Sequence, residues 1–248
     1  AWLHSAIQSI ADESIRQNVF ARLLTAQRNV SRSLVEEENP EAENAVDYMV
    51  ELINGYPVNA RLEAMGMGYS LHIMYYGEAL DYYMKLNNKE KVLSTFAKMD
   101  EKRFLDEAKG GEQWQLYYGM YALVPYSWAG KTDEAVALAD GFTMDMAIQY
   151  AAKKLTLYIV KDKGFDAGVE YYEAYADNHT VSIDEYMDTW LYLGVNDGNV
   201  GVALDAIQSG NNALAVSALD YFQTKLDLHL AGVLAENPNP SVYGENYD

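Results

Sequence analysis

The stretch that decides the fold begins with WQLYYGMYALVPYSW at residues 114–128 and runs through AGKT into DEAVALADGF at residues 133–142. A second stretch of the same form is MAIQYAAKKLTLYIV, KDKGF and DAGVEYYEAYAD at 146–177. A third is IDEYMDTWLYLGV, NDGN and VGVALDAIQSG at 183–210. Each pairs a longer helical pattern, rich in aromatic residues, with a shorter one, rich in alanine. The pattern therefore predicts three successive helix–turn–helix units.

The units are in register with one another. Gly130, Gly164 and Gly198 are each 34 residues apart, at the predicted turns. A small residue follows each glycine by four or five positions, at Ala135, Gly168 and Ala203, and a leucine precedes it by seven, at Leu123, Leu157 and Leu191. A helix–turn–helix unit with this period and these positions resembles the tetratricopeptide family.

The resemblance covers residues 114–210 and implies an all-α fold. Its specific form would be an α-solenoid of antiparallel helix hairpins, with a concave surface made by the first helix of each pair. Tyr126 matches the family's tyrosine position, whereas Val160 and Gly194 depart from it. The alternative is an irregular all-α domain.

The rest of the chain is predicted to extend this single domain. We expect N-terminal helices over 1–57, irregular helix pairs over 58–112, a capping helix over 211–236 and an extended tail over 237–248. Within 58–112, the pair 69–86 and 89–99 has the proportions of a repeat, and residues 101–111 fit an insertion.

The first strong helix is predicted over 12–35. An apolar face recurs at helical spacing along it, at Ile15, Val19, Leu23, Ala26 and Val30. Four of the six arginines of the chain also lie here, at Arg16, Arg22, Arg28 and Arg32. We expect one or more of these arginines to pair with carboxylates of this chain or of a neighbour. The helix would then present a solvated face on the acidic body, and the alternative is an arm that docks on a partner or a second copy.

Composition limits the choice of partners. The net charge of −19 repels nucleic acid and anionic membranes and favours a basic partner, although a solvated acidic surface would give the same balance. No apolar run approaches the ~18 residues of a membrane-spanning helix. An N-terminal alanine is what signal-peptide cleavage leaves, which favours export to the periplasm or the extracellular space, but a trimmed chain would begin the same way.

Motifs for chemistry are not found. The four histidines, His4, His72, His179 and His229, are far apart in sequence and form no metal-binding pattern. No nucleophile or phosphate-binding motif occurs, and the absence of cysteine excludes thiolate sites. The sequence therefore predicts a protein that is not an enzyme and needs no metal or cofactor.

Tyrosine is the unusual component, with 21 residues, several of them in doublets such as Tyr75-Tyr76, Tyr82-Tyr83 and Tyr117-Tyr118. Adjacent residues on a helix point ~100° apart, so a doublet typically buries one ring and exposes part of the other. Most rings are expected to pack between helices, and the remainder to line a recognition surface.

The resemblance places this surface on particular residues of the first helices. They are Tyr117, Tyr121, Val124, Trp128, Lys154, Tyr158, Lys161, Glu185, Asp188 and Tyr192. The leading hypothesis is a non-enzymatic protein that binds a protein or peptide in this aromatic groove. The alternatives are a small-molecule or carbohydrate receptor, or an enzyme on a helical scaffold, using the same aromatic and carboxylate residues, and a structural subunit, homo-oligomeric or mixed, that buries them.

Overall fold

In the computed structural model, the described residues are residue 7, residues 9–58 and residues 68–179. They are helical, and no strand occurs among them, which confirms the all-α class. The helices are α1 (Glu13–Glu36), α2 (Ala42–Gly55), α3 (Ser70–Lys85), α4 (Lys89–Glu107), α5 (Trp114–Tyr117), α6 (Leu123–Trp128), α7 (Thr132–Asp140), α8 (Asp145–Lys163) and α9 (Phe165–His179). A π-helical turn, Tyr118–Ala122, joins α5 to α6, and we call this continuous segment the 114–128 helix. The chain divides into two compact units, Ala1–Leu155 and Thr156–Asp248, which are described separately.

The first unit is built from packed helix pairs. α1 packs on α2, α3 on α4, and α6 on α7. Neighbouring pairs also touch, because α2 packs on α3 and α3 packs along the 114–128 helix. Each pair thus covers an apolar side of the next.

The helix α1 begins where the sequence predicts. The carboxylate of Asp12 accepts a hydrogen bond from the Ile15 N–H at 3.0 Å and so caps the first turn. Phe20 and Leu24 are buried, and the Gln27 amide and the Ser31 hydroxyl donate to the Ala45 carbonyl of α2 at 2.9 and 3.0 Å. These contacts fix α1 against α2.

The apolar face that the spacing identifies on α1 is not the face that packs. Ile15, Val19 and Val30 are 53%, 37% and 49% exposed, and Ala26 is exposed as well. Leu23 is half-buried. The buried face instead carries Phe20, Leu24, Ser31 and Val35, and it lies on the other side of the helix.

The second pair differs from the expectation at its end. The turn after α3 holds Asn87 at φ 57°, and the Asn88 side chain caps α4 by accepting from the Lys91 N–H. Helix α4 then continues to Glu107, so it is longer than the helix predicted over 89–99. The helix stops only before Gly110, which has φ +75°.

Two of the three aligned glycines lie in the described part of the chain. Gly130 separates α6 from α7 with φ +96°, and Gly164 separates α8 from α9 with φ +103°. Glycine adopts these left-handed conformations without the steric penalty of a Cβ atom, and it commonly ends helices in this way. Gly198 lies outside the described residues.

The tyrosine doublets follow the expected division at two sites. Tyr76 and Tyr118 are fully buried, whereas Tyr75 and Tyr117 are half-buried. The prediction is wrong at the third site, because Tyr82 and Tyr83 are both buried, at 5% and 1% exposure. Three of the buried hydroxyls reach a polar partner: Tyr76 donates to Asn54, Tyr83 to Asp47 and Tyr118 to Asp100, at 2.5, 2.6 and 3.0 Å.

Candidate functional site

Close approach of three helices brings several predicted site residues together. An added Cβ on Gly77 of α3 would lie 2.7 Å from the Cβ of Tyr121, so the two backbones meet with almost no side chain between them. An added Cβ on Gly119 would lie 2.9 Å from the Ala147 carbonyl oxygen of α8. Tyr121 therefore stands where α3, the 114–128 helix and the first part of α8 converge.

Half-exposed rings and one cation line this place. Tyr117, Tyr121 and Lys154 are all half-buried, and we call these three residues the aromatic face. The ammonium of Lys154 lies 5.8 Å from the ring centroid of Tyr121, within the range of a cation–π contact. Burial raises the pKa of both Tyr117 and Tyr121, so both phenols stay neutral and keep their donor hydrogens at physiological pH.

The Lys154 ammonium has more hydrogen-bond donors than its one hydrogen bond within the described part of the chain uses. Its ammonium donates to the Met120 carbonyl, which belongs to the π-helical turn. Within the described part of the chain this is the one acceptor bonded to Lys154, and an ammonium carries three donors. Burial lowers the pKa of Lys154, and Asp81 opposes this shift. Such a partly desolvated donor can gain free energy by binding a carbonyl or carboxylate of a ligand.

A partly buried ion pair lies close to the aromatic face. The Arg28 guanidinium of α1 donates to the carboxylate of Glu78, which is only 5% exposed. Burial raises the pKa of Glu78, and the Arg28 guanidinium opposes the shift. Burial also raises the pKa of the adjacent Tyr82 to about 12. The pair thus neutralises a buried carboxylate close to Tyr121 and ties α1 to α3.

The π-helical turn has a visible cause in the sequence. Pro125 has no N–H to donate to the Tyr121 carbonyl four residues earlier, and its ring crowds that carbonyl. The widened turn Tyr118–Ala122 comes directly before α6, the helix that contains Pro125. Single π-helical turns within α-helices are frequent at functional sites. A proline inside an aromatic helical stretch was the available signal, and periodicity alone did not find the turn.

The remaining predicted residues are distributed differently. Val124 is half-buried. Trp128 lies seven residues after Tyr121, roughly 10 Å farther along the helix. The Lys89 ammonium lies 5.2 Å from the centroid of the Trp128 ring. Tyr158 is half-buried on α8 but belongs to the second unit, as does Lys161, whose side chain lies outside the described part. Glu185, Asp188 and Tyr192 also lie outside the described residues. Periodicity pointed to neither Glu78 nor Arg28 as site residues, because their places near Tyr121 depend on packing between helices.

Among the described residues, no group of three or more acidic, histidine or cysteine side chains is placed to hold a metal ion. None of the helices in that part of the chain is long and apolar enough to cross a membrane. Comparison with family models, with curated proteins and with solved structures gave no match.

Proposed function

We propose that this chain is a non-enzymatic helical-repeat protein that binds a segment of another protein through its aromatic face. In this proposal the helix pairs form an α-solenoid of antiparallel hairpins similar to tetratricopeptide arrays. The serial packing of the pairs supports it, and so do Gly130 and Gly164, 34 residues apart with positive φ at equivalent turns. The concave side would then be formed by α1, α3, the 114–128 helix and α8.

The observation that carries the binding proposal is the combination at Tyr121. A half-exposed ring lies under an ammonium that has donors beyond its one described bond, on a surface held rigid by glycine contacts and an ion pair. Aromatic rings give large contact area at low conformational cost and are enriched at binding hot spots. A peptide segment supplies what this surface lacks, namely a carbonyl or carboxylate for Lys154 and an apolar side chain for the rings.

The family resemblance assigns the equivalent positions of later repeats to Tyr158, Lys161, Glu185, Asp188 and Tyr192. The net charge of −19 favours a partner that is basic overall, since long-range attraction speeds encounter. A homo-oligomer that uses this face is compatible with the same residues.

The test starts from peptides selected from a random phage-displayed library against the intact chain. Tyr121→Ala is expected to weaken the selected peptides by about 30-fold, which corresponds to ~2 kcal/mol at a hot spot. Lys154→Met should weaken them as well. The matched control is Tyr126→Ala, because Tyr126 is on the same helix about 140° away, where its ring stacks on Phe96 at 3.7 Å. Melting temperatures measured in parallel separate lost binding from lost folding.

The outcomes are distinguishable. Peptides that bind the wild type and Tyr121→Ala alike would place the binding site elsewhere. A glycan array that gives signals dependent on Tyr121 would favour the carbohydrate receptor instead. If no ligand is selected and Tyr121→Ala converts a stable oligomer into monomers, the face is a subunit contact.

A further inference from the structure

A second surface lies on α1, on the side away from its buried face. Ile15, Val19, Ala26 and Val30 are exposed and share one side of the helix, with Arg22 in the middle of the row, and we call these five residues the α1 stripe. The row extends over 16 residues, from Ile15 to Val30, or ~22 Å, about four turns of helix. Scattered exposed apolar residues are ordinary, whereas four of them aligned on one side of a helix indicate a contact surface.

Charge distinguishes this helix from the rest of the chain. Between Ser14 and Val35 the sequence holds four arginines and no carboxylate, although the chain has 37 acidic residues. One of the four, Arg28, pairs with Glu78, while Arg22 and Arg32 are exposed. An open depression of about 400 Å³ borders the stripe and is lined by Asn18, Ala21, Arg22, Thr25, Ala26 and Asn29. The surface therefore combines an apolar row with cationic and amide donors.

We propose that the α1 stripe docks an acidic amphipathic helix of a partner protein. The apolar side of such a helix would cover Ile15, Val19 and Val30, and its flanking carboxylates would reach Arg22 and Arg32. Helix-on-helix docking of this kind is a recurring recognition mode, and arginine pairs with carboxylates through two parallel hydrogen bonds. This contact is independent of the aromatic face around Tyr121.

Two other occupants fit the surface less well. In a symmetric pairing of two α1 helices, Arg22 at the centre of the row would face its own copy, and like charges would repel. An anionic membrane is the second alternative. The row consists of isoleucine, valine and alanine and lacks the tryptophan, phenylalanine and leucine typical of helices that lie in a membrane surface.

The experiment uses the full chain and a synthetic helical peptide of 22 residues with leucine on one side and flanking glutamates. Fluorescence anisotropy should show binding that weakens with salt, and at least about tenfold weaker binding when the glutamates are replaced by lysines. Arg22→Glu and the double variant Ile15→Ser with Val30→Ser should each reduce affinity by about tenfold or more. The matched control is Leu105→Ser, because Leu105 is 43% exposed on α4, away from α1, and should leave affinity unchanged. Tyr121→Ala should also leave it unchanged.

Several results would overturn the proposal. Equal affinity for the glutamate and lysine peptides would show that charge does not select the ligand. An equal loss with Leu105→Ser would show that the peptide binds without a defined site. Binding to phosphatidylserine vesicles that Arg22→Glu abolishes would assign the stripe to a membrane. Self-association in sedimentation that the same variant abolishes would assign it to a second copy.

Discussion

The close packing of the 114–128 helix on α8 makes Gly119→Ala the most informative stability variant. An added Cβ would lie 2.9 Å from the Ala147 carbonyl oxygen and 3.2 Å from the Cβ of Tyr150. The first of these atoms belongs to the backbone, so no side-chain rotation can relieve the overlap. The two helices have to separate, or the π-helical turn has to reshape.

Two effects of opposite sign set the magnitude. Alanine in a helix interior is favoured over glycine by about 1 kcal/mol, whereas overpacking a tight contact costs about 1–3 kcal/mol. Because the obstacle is backbone, we expect the upper part of that cost and a net loss of roughly 1–2 kcal/mol. Gly141→Ala is the matched control, since its Cβ would meet only the Leu138 oxygen at 3.5 Å and its φ is −83°. It should stabilise the chain by about 0.4–1 kcal/mol, because it restricts the unfolded state.

Urea denaturation of the intact chain, followed by circular dichroism and by tryptophan fluorescence, measures both variants. The expected order of midpoints is Gly141→Ala above wild type and Gly119→Ala below it. A Gly119→Ala protein as stable as the wild type would refute the reasoning, because the helices could not then approach as closely as the geometry requires. Loss of peptide binding by the same variant would link this contact to the aromatic face.

Two further predictions concern buried charge. Burial lowers the pKa of His72, whose Nε2–H donates to the Tyr56 carbonyl at 2.8 Å, so the folded state holds the neutral ring. The unfolded chain then binds a proton that the folded chain does not, and stability should fall as the pH drops from about 6.5 through the lowered folded pKa. His72→Gln should flatten that part of the profile of urea midpoints, and an unchanged slope would contradict the assignment. Arg28→Met leaves Glu78 buried without its partner and should cost about 2–3 kcal/mol in the same assay, less than a fully buried pair because Arg28 is 32% exposed at its side chain. Adding Glu78→Gln should recover part of that loss, and a purely additive double variant would show that the two groups do not interact.

The turns and helix pairs were predictable because they depend on local rules. A turn that needs a left-handed backbone conformation favours glycine, and glycine is visible in the sequence. The regular spacing of Gly130 and Gly164 was therefore enough to place both turns. The Asp12 cap is local in the same sense. The end of helix α4 was harder to predict. No residue between Asp100 and Glu107 disfavours a helix, and the first glycines come only after Glu107.

The buried face of α1 could not be chosen from periodicity. The helix carries two apolar rows at helical spacing, one with Phe20 and Leu24 and another with Ile15, Val19 and Val30. Which row packs depends on polar contacts from other segments, here Gln27 and Ser31 to Ala45 and Arg28 to Glu78. Those partners are 14 to 50 residues away in sequence, and a single-helix pattern contains no information about them. The same limit applies to Glu78, which joins the site through tertiary packing.

The net charge of the whole chain favours a basic partner, whereas the arginines of α1 favour an acidic one. The distance between each charge and the bound partner determines which effect is larger. At physiological ionic strength, charges farther than roughly 8 Å from a bound group are largely screened. The balance of −19 therefore governs solubility and the approach of ligands, while the groups within reach of a docked helix govern what it binds. Along α1 from Ser14 to Val35 those groups on the helix itself are arginines and amides without a carboxylate. An acidic chain can thus present a surface for an acidic partner, provided that one helix carries cationic residues without carboxylates, as α1 does between Ser14 and Val35.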